Sequence, residues 1–381
     1  MSNVKETMPL EKSGCKTKDE YLQLIVNPGS TSTKLAIFKG TQKLVQNNLE
    51  HDAKALAKFD KIADQLEYRL GEVREFLKEH GYQVKDFDAI VGRGGLVYGI
   101  GGEGYEVDDA LVEALSNPEL CSQHASNLGG LIGKKLADEG GIKAYIYDAV
   151  MGSYLSDVAR LTGFPEFKRQ PTCHVLNSRA MAMKYCENNG LDYSKNNFIV
   201  AHIGGGSSMS AHKQGKIIDI VADDEGPMSP ERSGGTQLLS LMEFFEKSGM
   251  NVKDFKKRIR GKGGLLAYLG TTDGRKIEEM YIEGDEKVKL VYDAMAYQIS
   301  KYIGWLAPVL NGEVNAIIIT GGLAHSKLLT DMVIPRVNFI APVTVMPGEC
   351  EMEALAGGGM RILSGDEIAK HYDKTEAMKR K

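Results

Sequence analysis

A strand-like run that breaks into a glycine-bearing polar turn and starts again occurs twice in this chain, about half its length apart, and limits the folds open to it. At residues 22–38, LQLIVNPGSTSTKLAIF, the apolar runs Leu22–Val26 and Leu35–Phe38 flank Asn27, Pro28, Gly29, Ser30, Thr31, Ser32, Thr33 and Lys34. That composition predicts two strands joined by a turn. The turn has what an anion needs: Gly29 lets backbone N–H groups come close, hydroxyls can donate, and Lys34 adds positive charge. Asn27 stands at a strand end, where a metal could be held. The alternative is an ordinary polar hairpin. At 197–220, NFIVAHIGGGSSMSAHKQGKIIDI, an apolar run ends in His202, then Gly204, Gly205, Gly206, Ser207 and Ser208, and a second run leads out from Met209. Self-similarity at this spacing predicts two similarly built halves and not a solenoid of short repeats. A third strand, in AIIITGGLAHS at 316–326, runs into Gly321 and Gly322. Three such turns predict a nucleotide held between two lobes.

The bulk of the chain allows this. Its 381 residues suffice for two cores, and the hydrophobic fraction of 42% is that of an ordinary globular protein. A net charge of -4 argues against nucleic-acid or membrane-surface partners. Cys15, Cys121, Cys173, Cys186 and Cys350 form no CxxC pair, which fits a reducing cytoplasm and suggests neither zinc nor disulfides. No apolar run nears the ~18 residues of a membrane helix, and the N-terminus lacks a signal-peptide core. The expectation is a soluble cytoplasmic protein whose residues 1–20 form a loose polar tail.

Between the turns, apolar spacing predicts an amphipathic helix from Asp60 to Gly81. A strand at Ala89–Val91 delivers Gly92, Arg93, Gly94 and Gly95. A glycine-flanked arginine leaves room for a ligand, or makes a surface ion pair. Gly99, Gly101 and Gly104 satisfy GxGxxG, but no long strand leads in and no helix opens there, so a dinucleotide site is not expected. The Walker spacing is absent. Helices are expected over Asp108–Leu115 and Leu128–Leu136, the second capped by Asn127. Strand Ala144–Tyr147 ends at Asp148, either a ligand-facing carboxylate at the sheet edge or a helix cap. His174 precedes a helical stretch, Val175–Cys186, as a catalytic or a structural histidine. The breaker-rich loop 223–235 is rigid enough to aim Arg232. A long helix is expected over 286–310, then strand Thr344–Met346, then a final helix opened by Glu349, Glu351 and Glu353.

NPGSTSTK at 27–34, VGRGGL at 91–96, HASNLG at 124–129, DVARLTGFPE at 157–166, HIGGGSS at 202–208, GPMSPERSGG at 226–235, ITGGLAHS at 319–326 and PGECEMEALA at 347–356 together resemble the butyrate kinase family. More broadly they resemble the acetate kinase group within the actin, sugar-kinase and Hsp70 superfamily. The resemblance covers nearly everything after the tail. It implies an α/β fold of two duplicated ribonuclease H-like, actin-like ATPase domains with a nucleotide cleft between them. It divides the chain into a first domain of 21–150 plus 350–381 and a second, on the adenosine side, of 151–349.

The resemblance also implies an acid kinase. It would move the γ-phosphoryl of ATP to butyrate or a related short or branched-chain acid, giving acyl phosphate and ADP, with Mg²⁺ as the metal and a homo-oligomer as the assembly. Matched to the family's motifs, Asn27 and Glu351 would serve the metal, with Glu351 aligning if one residue is inserted and Cys350 falling there otherwise. Arg93, Asp148, His174 and Arg232 would be catalytic, and Cys173 replaces the family's aromatic before the histidine. Ser30, Thr31, Ser32, Lys34, His202, Gly204, Gly205, Gly206, Gly321 and Gly322 would hold the nucleotide. Both reactants are anions, so neutralising charge and aligning the reactants are the main demands. A carboxylic acid is already ionised at neutral pH, so Asp148 is expected to orient groups or serve the metal more than to act as a base. The competing readings are an acetate or propionate kinase, a sugar kinase of the same superfamily, a non-enzymatic ATP binder and, on GxGxxG alone, a nicotinamide enzyme.

Overall fold

The computed structural model describes residues 16–380, so Cys15 and most of the expected tail lie outside the described residues. Two sheets carry the chain. The first joins β1 (Leu22–Pro28), β2 (Ser32–Lys39), β3 (Gln42–Glu50), β4 (Ala89–Arg93), β5 (Gly104–Glu106) and β6 (Lys143–Tyr147) in the order β3-β2-β1-β4-β6-β5. The second joins β7 (Asn197–His202), β8 (Ser208–Lys213), β9 (Lys216–Val221), β10 (Ala316–Gly321) and β11 (Val343–Pro347) in the order β11-β10-β7-β8-β9.

Without the edge strand β5, the two sheets have the same topology. Each begins with an antiparallel meander of three strands and adds two parallel strands beyond the first of them. Even the β-bulge recurs, between Ile37 and Phe38 on β2 and between Ala211 and His212 on β8. The duplication expected from the two turns is therefore a duplication of whole sheets. The central strands are buried on both faces, and their near-continuous runs of Ile, Val and Leu, as in Ile317–Ile319, follow from that.

On the outer face of the first sheet lie the helices Leu66–Glu79 and Asn127–Gly140, with Leu70, Val73, Leu128 and Ile132 fully buried. On the outer face of the second lie Glu286–Leu306 and Lys327–Val337. Two further helices fill the space between the sheets. Glu351–Leu363 packs on β1, β4 and β6 through Met352, Leu355 and Ala356, and Val175–Asn189 packs on β7 and β10 through Met181, Ala182 and Cys186. These two inner helices touch each other, so the sheets meet through them.

Several local expectations need correction. The first turn is shorter than its composition implied, because Asn27 pairs with Lys34, Pro28 with Thr33 and Ser32 with Glu50, leaving only Gly29, Ser30 and Thr31 outside the strands. The helix expected from Asp60 begins as a 3₁₀ turn, Ile62–Gln65, and becomes α-helical at Leu66. Asn127 does not cap its helix but is its first residue, with Ser126 at the cap position. The helix at Glu351 is not the last, since Lys374–Arg380 follows. The segment between residues 236 and 285, for which the sequence set no expectation, is helical. It holds helices Leu238–Ser248, Val252–Gly261, Gly264–Leu269 and Gly274–Glu283.

Candidate functional site

Between the two sheets lies a cavity of about 330 Å³, walled from the first half by Gly29, Ser30, Arg93, Leu96 and His124 and from the second by His174, Ser208, Asp223, Arg232 and Arg260. Val150, Thr172 and Cys173, on the connection between the halves, complete it. The structure thus brings Ser30, Arg93, His174 and Arg232 together from segments far apart in sequence.

Arg93 is the last residue of β4, and the backbone around it is held by close packing. A Cβ on Gly92 would stand 2.5 Å from the Gly129 carbonyl oxygen, so the helix Asn127–Gly140 can approach this strand only because both positions are glycine. Asn127 Oδ1 accepts from Leu96 N at 2.9 Å and its Nδ2 donates to the Ser122 carbonyl at 3.0 Å, which fixes the loop after Arg93. Arg93 Nη1 lies 3.1 Å from Glu351 Oε1, and Asn27 Nδ2 donates to Glu351 Oε2 at 2.8 Å. Lys34 Nζ reaches the same carboxylate at 4.0 Å. Arg93, Asn27 and Lys34 outweigh burial and hold Glu351 below the usual carboxyl range. Burial raises its neighbour Glu349, whereas Glu353 turns away to Lys43 at 2.9 Å.

The first turn owes its shape to a residue the sequence reading passed over. Arg69 is fully buried, and its guanidinium donates to the carbonyls of Gly29 (2.8 Å) and Ser32 (3.2 Å) and to Thr33 Oγ1 (3.1 Å), while Gln65 takes its other edge. Arg69 could have been noticed as a charge on the apolar face that Leu66, Leu70 and Val73 define. The amide of Gly29 is committed to the Ser32 carbonyl at 2.7 Å, and Thr31 O accepts from His51 N. An anion at this turn therefore meets the hydroxyls and Lys34, not the Gly29 amide.

On the opposite wall, His174 Nδ1 lies 2.7 Å from Ser208 Oγ, and its ring stacks on His202 with centroids 3.9 Å apart. His202 is buried behind His174 and is not among the residues that line the cavity. Asn177, also unforeseen, donates to His202 Nδ1 at 2.9 Å and accepts from the Cys350 amide at 3.2 Å, tying the inner helices together. Burial above all keeps both imidazoles neutral, helped for His174 by His202 and for both by Arg93 and Arg232: His174 is driven well below its usual value and His202, against the opposite pull of Glu351, to about 4. Burial and the three cavity arginines bring His124 to about 4 as well.

Arg232 is aimed by its loop. Ser229 Oγ donates to Gly205 O at 2.6 Å, Met228 N to Gln298 Oε1 at 2.8 Å and Gly263 N to Glu231 O at 3.0 Å. Gly206 lies directly against the guanidinium, and Gly205 is exposed next to it with Gly204 buried. Gly321 has φ +93°, exchanges backbone hydrogen bonds with Gly348, and leaves no room for a Cβ beside the Ile203 carbonyl. Gly322 is exposed, with open space where a side chain would stand.

Asp148 departs from its expected place. It follows β6 with φ +47°, is buried, and pairs with Arg179 away from the cavity wall. Burial pushes its carboxyl up against the pull of Arg179, and no helix begins there for it to cap. The structure does not bring Asp148 to the cavity with the arginines.

A model of the acetokinase family matches residues 172–342. Butyrate kinase 2 of Clostridium acetobutylicum is 43% identical over 355 residues, covering 93% of this chain and 99% of that protein. The chain belongs to the acetokinase family. Probable butyrate kinase 2 of Caldanaerobacter subterraneus is likewise 43% identical, over 92% of this chain and 99% of its own length. Among solved structures, Porphyromonas gingivalis acetate kinase superposes with a TM-score of 0.74 at 22% identity, covering 90% of this chain and all of its own. Entamoeba histolytica acetate kinase gives 0.71 at 17% identity, covering 88% and 98%. At such identities these structures speak for the fold alone, and that fold is the duplicated α/β architecture described above. For this acetokinase-family chain, no helix among the described residues is long and apolar enough to cross a membrane.

Proposed function

We propose that this chain transfers the γ-phosphoryl group of ATP to the carboxylate of butyrate or a related short or branched-chain acid, giving acyl phosphate and ADP in a reversible reaction. The observation that carries this reading is the pair of arginines from opposite halves in one cavity, each with its Nε buried and without a partner. A buried donor without an acceptor is costly unless a ligand supplies one, and two converging anions would satisfy both. Arg93 binds the acid's carboxylate, and Arg232 meets the oxygens of the transferring group. His174, neutral in these surroundings, donates to the same group without adding a titrating charge. No residue has to remove a proton from the nucleophile.

The acyl chain lies against Leu96, Val150 and Cys173, the apolar part of the wall. The phosphates lie between Ser30, Thr31, Ser32 and Lys34 on one side and Gly204, Gly205 and Gly206 on the other, with adenosine at Gly321 and Gly322. Glu351 and the Asn27 amide oxygen offer too few ligands for an all-protein cage. They fit Mg²⁺, which takes one or two carboxylates and completes its shell with phosphate oxygens and water. When bound there, the ion would supply positive charge to the phosphates. We assign residues 21–150 plus 350–381 to the first domain and 151–349 to the second, and take the working form to be a cytoplasmic homo-oligomer.

The names of the relatives favour butyrate over acetate or propionate. A sugar kinase would need a free carboxylate base, yet Asp148 is paired with Arg179 and the carboxylate in the wall, Asp223, is paired with Arg232 and Arg260. Incubation with ATP, magnesium, hydroxylamine and acids of increasing length tests the proposal. Hydroxamate should form, fastest with acids of about three to five carbons and with modest discrimination between neighbours. No hydroxamate with any of them overturns the reading, and a maximum with acetate overturns the substrate.

A further inference from the structure

The cavity wall contains a third arginine and a carboxylate that have no role in the reaction as derived so far. Arg260, from the helix Val252–Gly261, lines it beside Asp223 and Arg232. Asp223, just after β9, bridges the two guanidiniums: its Oδ1 lies 3.0 Å from Arg260 Nη2, and its Oδ2 meets Arg232 Nη1. Arg260 Nη2 also reaches Asp224 Oδ2 at 3.2 Å.

Neither stability nor substrate binding accounts for this bridge. A negative charge among Arg93, Arg232 and Arg260 opposes the entry of anions. The Arg260 side chain is half-exposed, and an ion pair in that position adds little to stability. The arrangement around Arg232 gives a better reason. Asp223 engages its Nη1, Gly206 backs the group so closely that a Cβ there would stand 2.4 Å from Nη1, and Nε remains buried without a partner. The guanidinium is gripped at Nη1, and the side chain still lines the cavity.

On the acid-kinase reading above, we propose that Asp223 is a positioning residue for Arg232, itself fixed by Arg260, so that the chain Arg260–Asp223–Arg232 presets the Arg232 guanidinium for the transferring phosphoryl group. An arginine side chain has several rotatable bonds, and ordering it only when the substrate arrives would subtract from transition-state stabilisation. A donor held in place beforehand needs no reorganisation during the reaction. The Asp223 charge weakens ground-state attraction for anions and in return fixes geometry, which benefits the transition state more than the bound substrate.

The test is a double-mutant cycle read by butyryl hydroxamate formation. Asp223→Asn keeps the shape and loses the charge, and Arg260→Ala removes the anchor from the other end. Each should lower kcat about tenfold, a fraction of what loss of Arg232 itself costs, with the KM for ATP within about twofold and the thermal midpoint unchanged. Arg260→Lys should retain most of the rate, since it keeps a charge opposite Asp223. In an Arg232→Ala background, Asp223→Asn should cost nothing further, because its effect runs through the missing side chain. An equal loss in both backgrounds, or unchanged kcat in both single variants, overturns the positioning role. If Asp223→Asn fails to fold, Arg260→Ala on its half-exposed helix carries the same cycle. Wild-type protein that makes no hydroxamate overturns the kinase reading and this role with it, whereas an active wild type with additive variants overturns this role alone.

Discussion

At the scale of single residues, Arg93 and Arg232 are half of an ionic arrangement whose other half is the substrate. Each is paired to one carboxylate, Glu351 or Asp223, and each keeps a buried donor free. Replacing either with Ala should lower hydroxamate formation by about 10²-fold, the scale on which a preorganised charge acts. Lys should restore only part of the loss, because it lacks the planar fork. If these were only surface pairs, both variants would keep near-wild-type rates in the same assay. Cys173 makes a different point: it is buried in the cavity wall where the resemblance implied an aromatic. Cys173→Phe should shorten the preferred acid, with butyrate losing about tenfold in kcat/KM relative to acetate, since an apolar contact of one or two methylenes has roughly that worth. An unchanged ratio between the two acids would place the acyl chain elsewhere.

At the scale of elements, the first turn depends on the helix beneath it. The turn satisfies few of its carbonyls by itself, and Arg69, from the helix Leu66–Glu79, supplies donors to that of Gly29 and to that of Ser32, which it shares with the Gly29 amide. Arg69→Met should cost about 2–4 kcal/mol of stability, since it takes the donors from the half-buried Gly29 carbonyl and from the buried Gln65 and Thr33 side chains. It should also weaken ATP binding more than acid binding, because this turn faces the phosphates in the proposed arrangement. Calorimetric titration with each ligand, alongside thermal unfolding, checks both parts. Equal weakening of the two ligands would point to general softening of the cavity.

At the scale of the whole molecule, burying neutral histidines makes stability depend on pH. His202 and His124 titrate at about 4 and His212 at about 3, in each case through burial first. An unfolded chain takes up these protons near the ordinary histidine value of about 6.5. Between that value and about 4 the unfolded state therefore binds more protons, and folding stability falls as pH falls, while above about pH 6.5 the contribution is complete. Burial of Glu349 and Asp148 raises their carboxyls and works in the opposite sense, so the slope reports the difference. The thermal midpoint at pH 5 should lie roughly 5 °C or more below that at pH 7. His212→Gln, outside the cavity lining, should flatten this slope without changing turnover at pH 7, and a midpoint independent of pH would contradict the burial of these imidazoles in neutral form.

The sequence by itself determined the periodic features. The paired strand-turn-strand segments announced duplicated halves, and long apolar spacing marked helices such as Glu286–Leu306. Glycine-flanked Arg93 and the rigid loop around Arg232 stood out because breakers and charges are local signals. What the sequence could not supply were partners distant along the chain. Asn127 looked like a cap, yet it is the first residue of its helix, and only packing shows it holding Leu96 across 31 residues. Asp148 sits where a strand-end carboxylate should face ligand, yet Arg179, 31 residues on, draws it into the interior. Arg69, Asn177 and Arg260 lie on helices whose spacing records which face is buried and nothing about what that face meets. Side-chain period follows from the local backbone, whereas the pairing of buried charges follows from which lobes come together, and that was decided by tertiary structure alone.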